Sequence, residues 1–214
     1  MSRSHFVNLL FGVTFLNLTV VGMFNLTCST TFYFMVRLSI IVFNCVMGLM
    51  LIRNTNSIMA FSPLHRPYWL LMIVCNIVVV KLIDELHPLV DIASVVFIIG
   101  AIILLLSLCS LRGSFAVIPM ISPIKTKFLY RVVRHPMYLG ESLMLLACVI
   151  AGKTPISFIA LIAYLTTMIL RIKEEENLLL LNTEYKSYCL KVTWRLLPYI
   201  WWIEFLMFNN GWII

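Results

Sequence analysis

A chain of 214 residues with 62% hydrophobic and only 12% charged side chains has too little charge to cover a water-facing surface, for which ordinary soluble domains use about 25%. A soluble globule is excluded and an integral membrane protein is implied. Sixteen Lys and Arg against nine Asp and Glu give a net charge of +7, but the cations cluster between apolar runs and form no continuous basic face, which argues against nucleic-acid binding.

In chain order, apolar runs predict an all-α, polytopic protein with six transmembrane helices, near 6–26, 32–52, 68–83, 89–111, 137–151 and 155–172, a span needing roughly 20 residues. The first run is too long for the apolar region of a cleaved signal peptide and no small-residue cleavage motif follows it, so it is expected to be a membrane helix. The third and fifth runs are short. Gly152-Lys153-Thr154-Pro155 predicts a tight hairpin between the last two helices, with Pro155 opening the second arm. An interfacial C-terminal segment follows. The six cysteines, at 28, 45, 75, 109, 148 and 189, show neither CxxC nor a nearby His, so neither a metal site nor a disulfide framework is expected.

Six spans place both termini on one side of the membrane. Thirteen of the sixteen Lys and Arg then fall on that side and two, Lys81 and Lys153, on the other, with Arg37 inside the second span. The positive-inside rule therefore predicts cytoplasmic termini and a cytoplasmic loop over 112–136. A bacterial inner membrane is the expected location, the endoplasmic reticulum membrane the alternative.

Three ionisable residues lie within the predicted spans, where charge is costly and marks function by default: Arg37, Asp91 and Glu141. The first two sit near the non-cytoplasmic ends and are expected to pair or to snorkel. Glu141 lies one helical turn after Tyr138 at the cytoplasmic end of the fifth span, so the two share a face. The preceding loop ends in Tyr130-Arg131-Val132-Val133-Arg134-His135-Pro136, which spacing alone presents as a basic anchor with Pro136 in the first turn of a helix. After the sixth span comes Arg171-Ile172-Lys173-Glu174-Glu175-Glu176, followed by Tyr185 and Tyr188; spacing predicts an amphipathic interfacial helix with an Arg171–Glu175 pair. Three adjacent carboxylates beside an anionic leaflet point to a cationic partner.

Taken together, Leu111-Arg112-Gly113-Ser114-Phe115, Tyr130-Arg131, Arg134-His135-Pro136-Met137-Tyr138-Leu139-Gly140, Arg171 to Glu176, Tyr185, Tyr188 and Trp194-Arg195-Leu196-Leu197-Pro198 resemble the isoprenylcysteine carboxyl methyltransferase-like family, a relative of the membrane phospholipid N-methyltransferases. The likeness covers about residues 100–202. It implies motif-free N-terminal helices over 1–88 and a methyltransferase core over 89–214 that binds S-adenosylmethionine. On the family pattern, the cofactor-binding residues are His135, Pro136, Tyr138, Gly140, Arg171, Glu175 and Glu176. Those expected at the chemistry are Arg134, His135 and Glu141, with Tyr185, Tyr188 and Trp194 on the substrate or interfacial side. No metal is implied. The sequence departs from the family at Arg112-Gly113, where the order is reversed, and at Phe128, where a small residue or glycine is common.

The implied reaction suits these residue types. A sulfonium cation is favoured by aromatic faces and its ribose by hydrogen-bond acceptors, and methyl transfer is chiefly a matter of in-line positioning. The expected acceptor is lipid-like or apolar. A carboxylate of the isoprenylcysteine type needs no general base, whereas a phospholipid amine or a thiol would draw on His135 or Glu141. The phospholipid branch carries a GxG element where this chain has only Gly100, which turns the expectation away from phosphatidylethanolamine. Two other readings are a non-catalytic protein on the same scaffold and a sterol-reductase-like enzyme using NADPH.

Overall fold

The computed structural model describes residues 3–24, 31–53, 58–59, 68–83, 88–111, 120–121, 126–152 and 154–198. Seven α-helices account for nearly all of it: α1 (Arg3–Phe24), α2 (Thr31–Arg53), α3 (Tyr68–Lys81), α4 (Val90–Leu111), α5 (Pro136–Gly152), α6 (Pro155–Leu179) and α7 (Thr183–Lys191). One 3-10 turn, Phe128–Arg131, precedes α5. The other regular pairing among the described residues is antiparallel, between β1 (Ile58–Met59) and β2 (Met120–Ile121), in register Ile58 with Ile121.

Three helices, α2, α4 and α6, are long and apolar enough to cross a membrane, and shorter apolar stretches occupy α1, α3 and α5. Side chains such as Val95, Ile159 and Ile162 stand exposed on the outside of the bundle, as expected where the solvent is lipid rather than water. Hydroxyls inside the helices satisfy themselves locally: Ser94, Ser107 and Thr167 each donate to the carbonyl four residues earlier. Arg37 donates to the Tyr33 hydroxyl, one turn back on the same helix, at 3.2 Å and lies over that ring.

Helices α1 and α2 pair with each other, α2 also meets α4, α4 lies along α5, and α3 packs on α6 and α5. Glycine sets the α4–α5 distance. A Cβ at Gly140 would come within 2.7 Å of the Gly100 carbonyl oxygen, and one at Gly100 within 2.8 Å of the Gly140 oxygen. No other residue allows two backbones this close, which is how small residues serve membrane helices. The core beneath joins Phe97 of α4, Leu145 and Cys148 of α5, and Tyr164, Met168 and Ile172 of α6.

The hairpin between α5 and α6 forms as the sequence predicts. Pro155 occupies the first turn of α6, and the Thr154 hydroxyl caps it by accepting from the Ser157 amide at 3.2 Å. One length differs from expectation. The helix beginning at Pro155 does not stop near 172: it carries Arg171 to Glu176 onward to Leu179, and its 25 residues reach about 37 Å, past a hydrocarbon core of about 30 Å. The separate amphipathic element is instead α7, capped by Asn182, whose side chain accepts from the Glu184 amide. Helix α5, at 17 residues, spans only about 25 Å.

Candidate functional site

The site lies where α5 begins and α6 ends. Beyond α7 the chain doubles back across the entrance of α5, held by two backbone bonds: the Arg134 amide donates to the Trp194 carbonyl at 2.8 Å and the His135 amide to the Arg195 carbonyl at 2.9 Å. This strap brings the side chains of 134, 135 and 195 to one point. That point is Glu176, only 2% exposed.

Each Glu176 oxygen is taken. Oε1 lies 2.9 Å from an Arg134 guanidinium nitrogen and 3.1 Å from His135 Nε2, and Oε2 accepts from Arg195 Nε at 2.6 Å. Because an ionised carboxylate can only accept, the geometry assigns the proton of the imidazole to Nε2. The Tyr185 hydroxyl adds a longer contact at 3.5 Å. Two guanidiniums around one buried carboxylate keep it anionic and make charge-assisted bonds of the stronger class. Arg134 also donates to the Cys189 sulfur and to the Thr193 carbonyl, both at 3.2 Å, while its Nε is buried without a partner.

One residue earlier, α6 turns by about 100° and Glu175 faces elsewhere. Its Oε2 accepts from the Tyr138 hydroxyl at 3.0 Å. The Arg171 guanidinium stands 5.8 Å from the Tyr138 ring centroid and is close enough to both Glu175 and Glu141 to attract them. The His135 ring lies 5.8 Å from that of Tyr138, which ties this second cluster to the first. Ser142, beside Glu141 on α5, donates to the Tyr138 carbonyl at 2.7 Å and contacts the Met168 sulfur at 3.2 Å.

Around the strap, tyrosines act as neutral donors. The Tyr188 hydroxyl donates to the Tyr130 carbonyl at 2.6 Å, and the Tyr185 and Tyr188 rings meet at 5.7 Å. Burial pushes the phenols of Tyr130, Tyr185 and Tyr188 above their ordinary range, and for Tyr185 the charge of Glu176 adds to it, so all three remain protonated. Burial likewise pushes the Cys189 thiol up, against the opposing pull of Arg134.

Residues 90–186 match the family model of the phospholipid methyltransferases. No curated protein matches the chain. The match runs from the start of α4 into α7 and contains Arg134, His135 and Glu176 together with the Tyr138–Glu175 cluster. It supports a membrane methyltransferase in general, and the chain is a helical membrane protein.

Against this phospholipid-methyltransferase pattern, the structure gathers Arg134, His135, Glu176 and Tyr185 in one cluster and Tyr138, Glu141, Arg171 and Glu175 in the next. Pro136 starts α5, and Gly140 faces α4 rather than either cluster. Tyr188 and the Trp194 backbone hold the strap. The reversed Arg112-Gly113 pair lies outside the described residues. One participant carries no assigned role in the sequence: Arg195, the one charged residue of Trp194-Arg195-Leu196-Leu197-Pro198, and that isolation is its signal.

The departure at Phe128 has a visible consequence. Its φ is 53°, in the left-handed region where glycine is at ease, and its ring is 72% exposed. A β-carbon in that conformation costs about 1–2 kcal/mol, of which the greater unfolded-state freedom of glycine returns about half. Phe128→Gly is therefore expected to raise the stability of the detergent-solubilised protein by about 0.5–1 kcal/mol in thermal unfolding. A clear loss would mean the exposed ring has a partner in detergent or lipid.

Proposed function

We propose that this chain is an S-adenosylmethionine-dependent methyltransferase acting on a lipid-like acceptor that enters sideways from the bilayer. The observation that carries the reading is the convergence of both motifs on one end of the α5–α6 pair, inside the segment that matches the phospholipid methyltransferases.

The residues suit the cofactor. Glu175 is half-buried and its Oε2 accepts from Tyr138, and an ionised carboxylate has further lone pairs to offer ribose hydroxyls. Tyr138 supplies an aromatic face within reach of a cation. Bound there, S-adenosylmethionine supplies an electrophilic methyl group. The chain's own residues then orient and enclose. Glu176, saturated by Arg134, His135 and Arg195, fixes the strap over the entrance of α5, and His135 in turn positions the Tyr138 ring. Both act as positioning residues, and the imidazole spends its Nε2 proton on Glu176 rather than on an acceptor. Gly140 sets how closely α5 approaches α4 and so where Tyr138 and Glu141 stand.

The distribution of Lys and Arg supports a cytoplasmic site with both termini on that side, where the cofactor is available. The shortness of α5 supports lateral entry, because it brings the site within the thickness of the leaflet. Calorimetric titration of the solubilised protein with S-adenosylhomocysteine tests the reading, with binding expected at micromolar ligand. Neither heat nor thermal shift at millimolar ligand would overturn it, and binding of NADPH instead would favour a reductase.

A further inference from the structure

We infer that α1 carries the seam along which two copies of this chain pair in the membrane, fixed by hydrogen bonds between their Asn17 side chains. The inference stands apart from the methyltransferase reading, since α1 lies outside the segment that matches the family.

The packed side of α1 is set by Phe11, Gly12, Phe15 and Leu16. Gly12 and Leu16 meet α2 at Gly48, and Phe11 and Phe15 join the apolar cluster that includes Leu51 of α2 and Leu104 of α4. At 100° per residue these four positions fall within an arc of about 140°. Leu10, Thr14, Asn17 and Val21 fall on the opposite side, within about 60° of one another. All four are exposed, Leu10 at 57% and Val21 at 55%. Their steps of four, three and four residues are those of a heptad seam, along which two helices wind about each other at a crossing of about 20°. Contact with lipid alone asks for no such period.

Asn17 makes the seam specific. It stands about 21 Å from the start of α1 and about 10 Å from its end, inside a hydrocarbon core about 30 Å thick. A carboxamide there has two donors and an acceptor, and leaving them unbonded in lipid is costly. Other polar side chains of the apolar helices meet this need on their own helix: the Thr14 hydroxyl donates to the Leu10 carbonyl and the Asn76 amide to the Met72 carbonyl, both at 2.9 Å. Asn17 has no hydrogen bond among the described residues, and it stands on the side of α1 away from α2 and α4. Its partner therefore comes from outside the chain.

The partner that fits is a second copy. All copies enter the membrane in one orientation, so two α1 helices that meet run parallel and present Asn17 at the same depth. A carboxamide is complementary to itself: each NH2 donates to the oxygen of the other, giving a pair with twofold symmetry about the membrane normal. A single Asn in the seam of a parallel two-stranded coil sets register and copy number in this way.

Energy transfer between full-length chains carrying donor or acceptor fluorophores at the C-terminus, in phosphatidylcholine liposomes over a range of protein-to-lipid ratios, tests the pairing. Wild type is expected to give saturable transfer with the stoichiometry of a dimer. Asn17→Leu should weaken association about tenfold, the size of a hydrogen-bonded contact between membrane helices, and Asn17→Gln, which keeps the amide, should stay within about threefold of wild type. The exchange of Asn17→Leu with Leu18→Asn moves the amide about 100° around α1 and should behave as Asn17→Leu alone. In dilute detergent, where copies are apart, Asn17→Leu should unfold no earlier than wild type, because the amide serves no contact within the chain. Transfer no greater than random mixing in wild type, unchanged association in Asn17→Leu, or recovery in the exchanged variant overturns the proposal. So does a lower thermal midpoint for Asn17→Leu in dilute detergent, which would place the partner of Asn17 inside the chain.

Discussion

Glu176→Gln should destabilise the protein by about 3–5 kcal/mol, the range for breaking a buried ion pair by removing one partner. The amide can still accept from one cation through its oxygen, but its NH2 then points at a guanidinium. Arg195 and Arg134, which reach Glu176 at 2.6 Å and 2.9 Å, would be left as buried cations with too little negative charge between them. Because those contacts hold the segment after α7 against the start of α5, the loss should appear as early proteolytic cleavage near 192–198 as well as a lower thermal midpoint. Cofactor binding should vanish with it. The triple replacement Glu176→Leu, Arg134→Met, Arg195→Met provides the contrast, since apolar side chains of similar volume remove the desolvation cost altogether. It should recover much of the stability without recovering binding. A single Glu176→Gln variant within 1 kcal/mol of wild type would show that the cluster is not holding the strap.

How much of this was legible beforehand depends on which physical signals are local. Pro136 and the Thr154-Pro155 cap announce helix starts because proline and a capping hydroxyl act on their own turn, and both stand where expected. The end of α6 was misplaced because a change from apolar to charged residues at Arg171 marks where lipid ends, whereas a helix ends only where its backbone bonds lose partners. Here they continue to Leu179, with two of the carboxylates at the tip held by tertiary partners: Tyr138 for Glu175, and the strap for Glu176. Arg195 lies nineteen residues from Glu176, beyond any helical spacing rule, so only the fold of the segment after α7 joins them.

The three adjacent carboxylates should separate by kind of defect rather than by degree. Glu175→Gln keeps the size of the side chain and the Tyr138 bond in neutral form, so folding should hold while S-adenosylhomocysteine binds more weakly by about 1.5–3 kcal/mol, the value of hydrogen bonds to a charged acceptor. Glu174, another 100° around α6 and outside both clusters, should leave stability and affinity within about 0.5 kcal/mol of wild type when changed to Gln. Tyr138→Phe tests the same carboxylate from the other side: it frees the Glu175 oxygen that the phenol now occupies at 3.0 Å and removes the group orienting it. If Tyr138 serves only to aim Glu175, then Tyr138→Phe should weaken binding in the wild type and add nothing in the Glu175→Gln background, a coupling that the four dissociation constants measure directly. Additive losses would mean that phenol and carboxylate meet the ligand separately. Equal affinities across all three glutamine variants would remove Glu175 from the site and leave the polar tip of α6 with a structural role alone.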